Sequence, residues 1–173
     1  MEPGAHTQSL EYRPELISRR GEYFAWGMAL LSLATWLVLH LTNTSIFGGL
    51  SFLTVLLVFS GMAISLGNWM DRRTILRVES NGVWFDNGLR RVFLHWSEIR
   101  QVQVIPSAWG KKVRVIGENG HFDFRTLGEV RLQGEVKGRL GFEKGEEILS
   151  QILAKANLKL AKDAENGEYY SRE

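Results

Sequence analysis

The pattern of apolar and polar positions changes abruptly near the N-terminus. Positions 23 to 70 form 48 consecutive residues without an Asp, Glu, Lys or Arg. A charge at the centre of a bilayer costs about 2.5–3.5 kcal/mol, whereas each Leu, Ile, Phe or Val there contributes about −0.3 to −0.6 kcal/mol. One helix of this length would measure about 70 Å, against a hydrocarbon core of about 30 Å. The pattern therefore predicts two membrane spans.

The break between the spans is expected at Asn43-Thr44-Ser45 and Gly48-Gly49, where polar residues and glycines interrupt the apolar run. The predicted helices cover about residues 23–42 and 46–69. Their short link makes them an antiparallel hairpin, and the predicted partner of residues 23–69 is the lipid bilayer. The aromatic residues expected at the membrane interfaces are Tyr23, Trp26, Trp36 and Trp69.

The charges that flank the hairpin predict its orientation. Arginines lie on both outer flanks, and the link between the spans carries no Lys or Arg. Because positively charged flanks stay in the cytoplasm, we expect both termini there and the protein in the cytoplasmic (plasma) membrane. Residues 1–22 then form a cytoplasmic N-terminal segment. The predicted juxtamembrane anchors are Arg19, Arg20, Arg72, Arg73, Tyr23, Trp26 and Trp69.

Three residues within the spans have candidate roles. His40 suits a histidine that reaches the outer interface, with a proton or metal site as the alternative. Gly61 and Ser65 form a small-xxx-small pair, which favours packing within the hairpin or docking on another membrane subunit. The spans contain no carboxylate and no pairable cation, which argues against a pore or carrier formed by this chain alone.

After Asp71, apolar and polar residues alternate with a period of two, as is typical of strands. Asn-Gly pairs separate short apolar runs, and this dipeptide suits a type I′ hairpin turn. Trp84 and Trp96 lie in such runs, so both are expected in the core. The predicted strands are 75–79, 83–85, 92–96, 99–105, 111–116, 121–125 and, beyond a glycine-punctuated stretch from 128 to 138, 139–142.

After Gly145 the period changes to about 3.6, which predicts a helix. Acidic residues open this segment and lysines close it, in agreement with the helix dipole. The domain is expected to cover residues 71–160, and the polar residues 161–173 are expected to be a disordered tail. The apolar face of the predicted helix comprises Ile148, Leu149, Ile152, Leu153 and Ala156.

About seven antiparallel strands followed by one amphipathic helix resemble the pleckstrin-homology-like (PH-like) fold. The resemblance is carried by Val83-Trp84-Phe85, by the link from His95 to Ile99, and by Gly138–Phe142 running into the helix. It implies an α+β membrane protein, in which a transmembrane hairpin precedes a cytoplasmic β-barrel or sandwich closed by the helix, as in bacterial membrane-anchored PH-like proteins. The layout is also similar to that of the photosystem I assembly factors of cyanobacteria and chloroplasts.

The charged residues of this domain are too evenly balanced to predict nucleic-acid binding, with 18 Lys and Arg against 15 Asp and Glu from position 71 onward. The first hairpin loop, Ser80-Asn81-Gly82, lacks the basic residues of phosphoinositide-binding PH domains. Trp109 beside two lysines suits a protein contact or insertion at the membrane interface. The candidate surface for a protein or lipid partner comprises Trp109, Lys111, Lys112, Arg114, Arg90 and Arg91.

Catalytic signatures are absent from the sequence. His121 and Asp123 share a strand face, but no third ligand follows at a recognisable spacing. The chain has no cysteine, which excludes thiolate chemistry and is compatible with a reducing compartment. We therefore expect no enzyme activity, no cofactor and no metal.

Three functions agree with these features. The leading hypothesis is a non-enzymatic adaptor or scaffold that is anchored in the membrane and presents a protein-interaction surface, for example during assembly of a membrane complex. The alternatives are a sensor of anionic lipids that uses residues 109–112 and an accessory subunit of a larger membrane complex. An enzyme acting on a membrane substrate would require a pocket that the sequence does not reveal.

Overall fold

The computed structural model describes residues 10–16, 18–42, 48–132, 134–164 and 166–172. The chain divides into two units. Residues 18–70 form one, which we call the hairpin unit, and the chain before 18 and after 70 forms the other, the sheet unit. The protein is α+β, with two long apolar helices followed by antiparallel sheets.

The two helices are α1 (Arg20–Leu41) and α2 (Gly48–Arg73), and both are long and apolar enough to span a membrane. α1 begins three residues before its predicted start, and α2 continues to Arg73, because charged residues outside an apolar stretch do not interrupt a helical backbone. Arg72 and Arg73 in the last turn of α2 also complement its dipole. The predicted turn at Asn43-Thr44-Ser45 and the predicted start of the second helix at Ile46 lie outside the described residues.

Small and polar side chains lie between the helices. The buried residues are Ala29 and Ser32 in α1 and Thr54 and Gly61 in α2. The hydroxyl oxygens of Ser32 and Thr54 are 2.7 Å apart and share a hydrogen bond. The large apolar side chains point outward, among them Phe24 (71% exposed). This is the reverse of a helix pair in a water-soluble core.

A chain of hydrogen bonds joins the helices near the start of α1. Trp26 Nε1 donates to Ser65 Oγ over 2.8 Å, and Ser65 Oγ donates to Glu22 Oε1 over 2.8 Å. Asn68 Nδ2 donates to the second carboxylate oxygen of Glu22, also over 2.8 Å. The Trp26 ring lies over Gly61, where an added Cβ would come within 3.3 Å of it. The Gly61 and Ser65 pair therefore packs within the hairpin.

The described residues of the sheet unit form three antiparallel sheets. The first has four strands in the order β1 (Leu10–Tyr12), β2 (Ile75–Val78), β3 (Gly82–Asp86) and β4 (Arg91–His95). Further along the chain come β5 (Ile99–Ser107), β6 (Gly110–Gly117), β7 (His121–Arg125), β8 (Gly128–Leu132), β9 (Glu135–Leu140), α3 (Gly145–Lys155), β10 (Lys159–Ala164) and β11 (Gly167–Ser171). The second sheet has the order β10-β11-β5-β6-β7, and β8 and β9 form a hairpin.

One apolar core holds the sheet unit together. Valines on the inward face of β5 and β6 meet the first sheet, and the rings of Phe85 and Phe122 stack with centroids 5.1 Å apart. The predicted apolar face of α3 is confirmed, because Ile148 and Ile152 are fully buried and Leu149 is buried. The described strands form open sheets, and two strands follow α3, whereas the resemblance implies a domain that ends in the helix.

The expectation of a disordered tail over residues 161–173 is wrong for residues 161–164 and 166–172, which the structure describes. β10 and β11 pair with each other, and β11 also pairs with β5. Tyr170 packs against the core, and the Arg172 guanidinium donates to the carbonyl oxygens of Ala156, Ser97 and Trp96. The pairing of β11 with β5 and the hydrogen bonds of Arg172 hold these strands on the sheet unit, although their polar composition is typical of a free tail.

Three further expectations are corrected. The segment before the hairpin contributes β1, so Leu10–Tyr12 belongs to the sheet unit. Trp84 lies on the outward face of β3, because strand alternation turns Val83 and Phe85 inward instead. The glycine-punctuated stretch contains the paired strands β8 and β9. The strand expected at 139–142 ends at Leu140, and Gly141 and Phe142 form only isolated bridges, with Glu15 and Thr126.

Replacing Gly61 tests the packing of the hairpin. We expect Gly61→Leu to lower the melting temperature of the full chain in mild detergent, at a cost of about 1–3 kcal/mol, because the new side chain overlaps the Trp26 ring. The matched control is Gly67→Leu, since no atom lies within 4 Å of a Cβ added there. Equal melting temperatures for the two variants would contradict the described packing.

Candidate interaction surfaces

Trp109 lies at the tip of the turn between β5 and β6, with 49% of its surface exposed. The backbone beneath it is closely packed: a Cβ on Gly128 would come within 2.2 Å of the Trp109 carbonyl carbon, and one on Gly110 within 2.6 Å of the Thr126 oxygen. Gly110 also has a φ of +80°, which favours glycine. Ser107 Oγ donates to the Gly110 oxygen over 2.6 Å. The turn therefore presents an exposed indole on a fixed backbone.

The basic residues that follow Trp109 are paired within the chain. Lys111 Nζ lies 3.2 Å from Glu146 Oε1, and Lys112 Nζ lies 3.0 Å from Asp123 Oδ2. Arg114 donates to both oxygens of Asp123, over 2.9 and 3.1 Å. Their charges are thus largely balanced by carboxylates of the sheet unit.

These contacts change the pKa of Asp123. Burial raises its pKa, but the hydrogen bonds from Arg114 and Lys112 outweigh that effect and hold the pKa below its ordinary value of 3.8. The same contact with Asp123 raises the pKa of Arg114. The carboxylate therefore remains ionised at neutral pH and links two cations on the outer face of β6 and β7.

Arg90 and Arg91 belong to a different surface. The Arg90 guanidinium nitrogens lie 3.3 and 3.5 Å from the ring nitrogens of His121, and Arg91 Nε donates to Asp86 over 2.8 Å. In the register of β5 and β6, Ser107 pairs with Gly110 at the Trp109 tip, and Ile99 pairs with Gly117 at the other end. From Ile99 to Ser107 the strand advances eight residue steps, so the two ends of β5 lie about 26 Å apart.

The structure therefore divides the predicted surface in two. Trp109 and Lys111 lie at one tip, and Arg90 and Arg91 lie near the opposite end. Lys112 and Arg114 occupy the strand face between these ends. A single small ligand cannot contact all six residues.

His121 and Asp123 share a strand face as expected but have different partners. His121 contacts Arg90, whereas Asp123 contacts Lys112 and Arg114. Within the described part of the chain, no group of three His, Asp or Glu side chains is arranged to hold a metal ion.

The predicted membrane anchors differ in where their side chains point. Tyr23 is 66% exposed and Trp69 38% exposed, and Arg20, Arg72 and Arg73 lie in the terminal turns of the helices, next to Arg19 at the N-cap of α1. Trp26 instead faces α2. Trp36 does the same, because its Nε1 donates to Ser51 over 3.1 Å, and its ring stacks on His40 with centroids 5.3 Å apart.

Sequence reasoning missed a row of side chains on the outer face of the first sheet. Arg77 donates to Glu11 over 2.9 Å and its guanidinium lies 4.9 Å from the centre of a Trp84 ring. Trp84 pairs in register with Phe93, which is 37% exposed. The fully apolar run Val83-Trp84-Phe85 carries no alternation that could have indicated its outward residue.

Comparison of the chain with protein-family models, curated proteins and solved structures found no match. What the surfaces do is therefore inferred from their geometry and charge.

The pairing of Asp123 predicts a pH dependence. A folded-state pKa below the unfolded value stabilises the protein above about pH 4, and this contribution disappears as the pH falls through the folded-state pKa. We expect the melting temperature of Asp123→Asn to lie below that of the wild type at neutral pH, and the difference to shrink as the pH is lowered below the folded-state pKa of Asp123. An equal difference in melting temperature at neutral pH and below that pKa would contradict the pairing.

Proposed function

We propose that this protein is a membrane-anchored, non-enzymatic adaptor, with the hairpin unit in the plasma membrane and the sheet unit in the cytoplasm. The observation that carries the proposal is the reversed polarity of the hairpin. In the most apolar 18-residue stretch of each helix, only 6% of the stretch in α1 and 11% of the stretch in α2 is buried. Such surfaces need an apolar solvent, and helices in lipid associate through close packing and hydrogen bonds, as α1 and α2 do.

The pairing of β1 with β2 supports the proposed topology. β1 precedes α1 and β2 follows α2, and the two strands are hydrogen-bonded from Leu10 with Val78 to Tyr12 with Leu76. Adjacent strands lie about 4.8 Å apart, so the two flanks of the hairpin share one side of any membrane that it crosses. The arginines on these flanks favour the cytoplasmic side.

The sheet unit is compatible with the PH-like resemblance in several respects. A meander of short strands, a second antiparallel sheet and an amphipathic helix occur in the expected order. The four-stranded and five-stranded sheets share one core with α3. Domains of this kind serve as rigid platforms, which is the role we propose here.

The Trp109 turn is the proposed contact with a partner protein. Exposed tryptophans on fixed backbones are favoured as anchors in protein interfaces, since little conformational freedom is lost on binding. Anionic-lipid sensing by residues 109–112 receives less support, because Lys111 and Lys112 already pair with Glu146 and Asp123. A role as an accessory subunit of a larger membrane complex agrees with the same geometry.

Site-specific photo-crosslinking tests this proposal. A photoreactive phenylalanine analogue replaces Trp109 in the full chain, in its native membrane. We expect a discrete protein adduct, because the exposed side chain at this turn is the proposed contact with the partner.

The matched control carries the analogue at Leu160, an apolar residue on β10 that is 53% exposed. No adduct is expected there. Adducts with lipid alone, or the same adducts from both positions, would refute the proposed contact at Trp109.

A further inference from the structure

A second surface surrounds the end of β6 and the start of β7. We call it the basic end and define it by Arg90, Arg91, Arg100, Arg114 and His121. Arg100 donates to Glu118 in the turn between β6 and β7, and Arg90 contacts His121 where β7 begins. Gly120 in this turn also lies close to Val92 of β4. Three chain segments thus bring cations to one region: the start of β4 with Arg90 and Arg91, β5 with Arg100, and β6 with Arg114.

In the ion pairs at the basic end, each arginine side chain is more exposed than its carboxylate partner. Side-chain exposure is 78% for Arg91 and 12% for its partner Asp86. For Arg100 and Glu118 the values are 69% and 46%. The positive groups therefore lie nearer to solvent, and a charge near water acts over about 8–10 Å at physiological salt.

Arg90 adds a cation that no carboxylate balances. Among the described residues, its side chain contacts His121 and makes no ion pair. Arg114 pairs with Asp123, which lies two residues from His121 on the same face of β7, so Arg114 and His121 are diagonal neighbours. The surface therefore has an excess of positive charge, although the whole chain has a net charge of only +2.

Beside these cations is a cavity of about 330 Å³. Its walls combine Arg114, His121 and Glu118 with Ile116 and the two turn glycines, Gly117 and Gly120. Ile116 offers an apolar contact to the methylene groups of a Glu side chain, and Arg114 lies in the same wall. Because the cations are distributed over three segments and most are held by their own carboxylates, they do not converge on one phosphate.

From this charge arrangement we infer that the basic end binds an acidic, extended segment of a partner protein. The inference rests on the proposed adaptor function and names a second contact, about 26 Å from the Trp109 tip by strand length. Several carboxylates along an extended segment match several separate cations, whereas a single headgroup or phosphate matches only one or two.

The test uses the full chain in a neutral detergent and a short, dye-labelled peptide in which Glu alternates with Ser. We expect binding by fluorescence anisotropy and a shift of the His121 ring resonances in NMR spectra. Affinity should fall as salt rises from roughly 0.05 M to roughly 0.5 M. Arg90→Gln combined with Arg100→Gln should weaken binding about three- to tenfold without lowering the melting temperature, because both side chains are exposed.

The matched control is Arg131→Gln, which removes an exposed, paired arginine from the β8 and β9 hairpin and should leave affinity unchanged. A peptide with Gln in place of Glu should not bind. Equal weakening by both variants, or an unshifted His121, would overturn the inference. Saturation by inorganic phosphate alone, or binding only to anionic vesicles, would also overturn it. The crosslinking result at Trp109 does not depend on this outcome, so the two proposals can fail separately.

Discussion

The pairing of β1 with β2 is the constraint on which the rest of the structure depends. These strands flank the long helices in sequence, 62 positions separating Tyr12 from Ile75, yet Tyr12 lies opposite Leu76 and both are buried in the same core. The strands on either side of the hairpin in sequence therefore belong to one sheet. If the segment between these strands spans a membrane, as we propose, their pairing requires it to return to the side on which it started.

The hairpin follows a different physical rule from the sheet unit. In the sheet unit the hydrophobic effect drives large side chains such as Phe122 inward. We propose that the hairpin unit lies in lipid, where this driving force is lost and helices associate through small residues and interhelical hydrogen bonds. Ser32 with Thr54 and Trp26 with Ser65 provide those bonds, while Gly61 allows the close approach. One chain thus contains two kinds of core.

Much of this architecture could be predicted because its signals are local. The charge-free run indicates two long helices, Asn-Gly turns indicate hairpins, and the spacing of Ile148 and Ile152 indicates the buried face of α3. Non-local features could not be predicted. β11 is fixed by β5 and by the contacts of Arg172, which no pattern within its own residues reveals. The separation of Arg90 from Trp109 likewise depends on strand register, which sequence spacing does not specify.

Accessibility of single cysteines tests the central claim most directly, because the chain has no cysteine of its own. Arg13→Cys, Thr42→Cys and Asn119→Cys place one thiol before α1, one at the end of α1 and one in the turn between β6 and β7. An impermeant thiol reagent is applied to sealed membrane vesicles of each orientation. The thiols at 13 and 119 should react from the same side, and the thiol at 42 from the other. Reaction of 13 and 119 from opposite sides, or of all three from one side, would contradict the two-span hairpin.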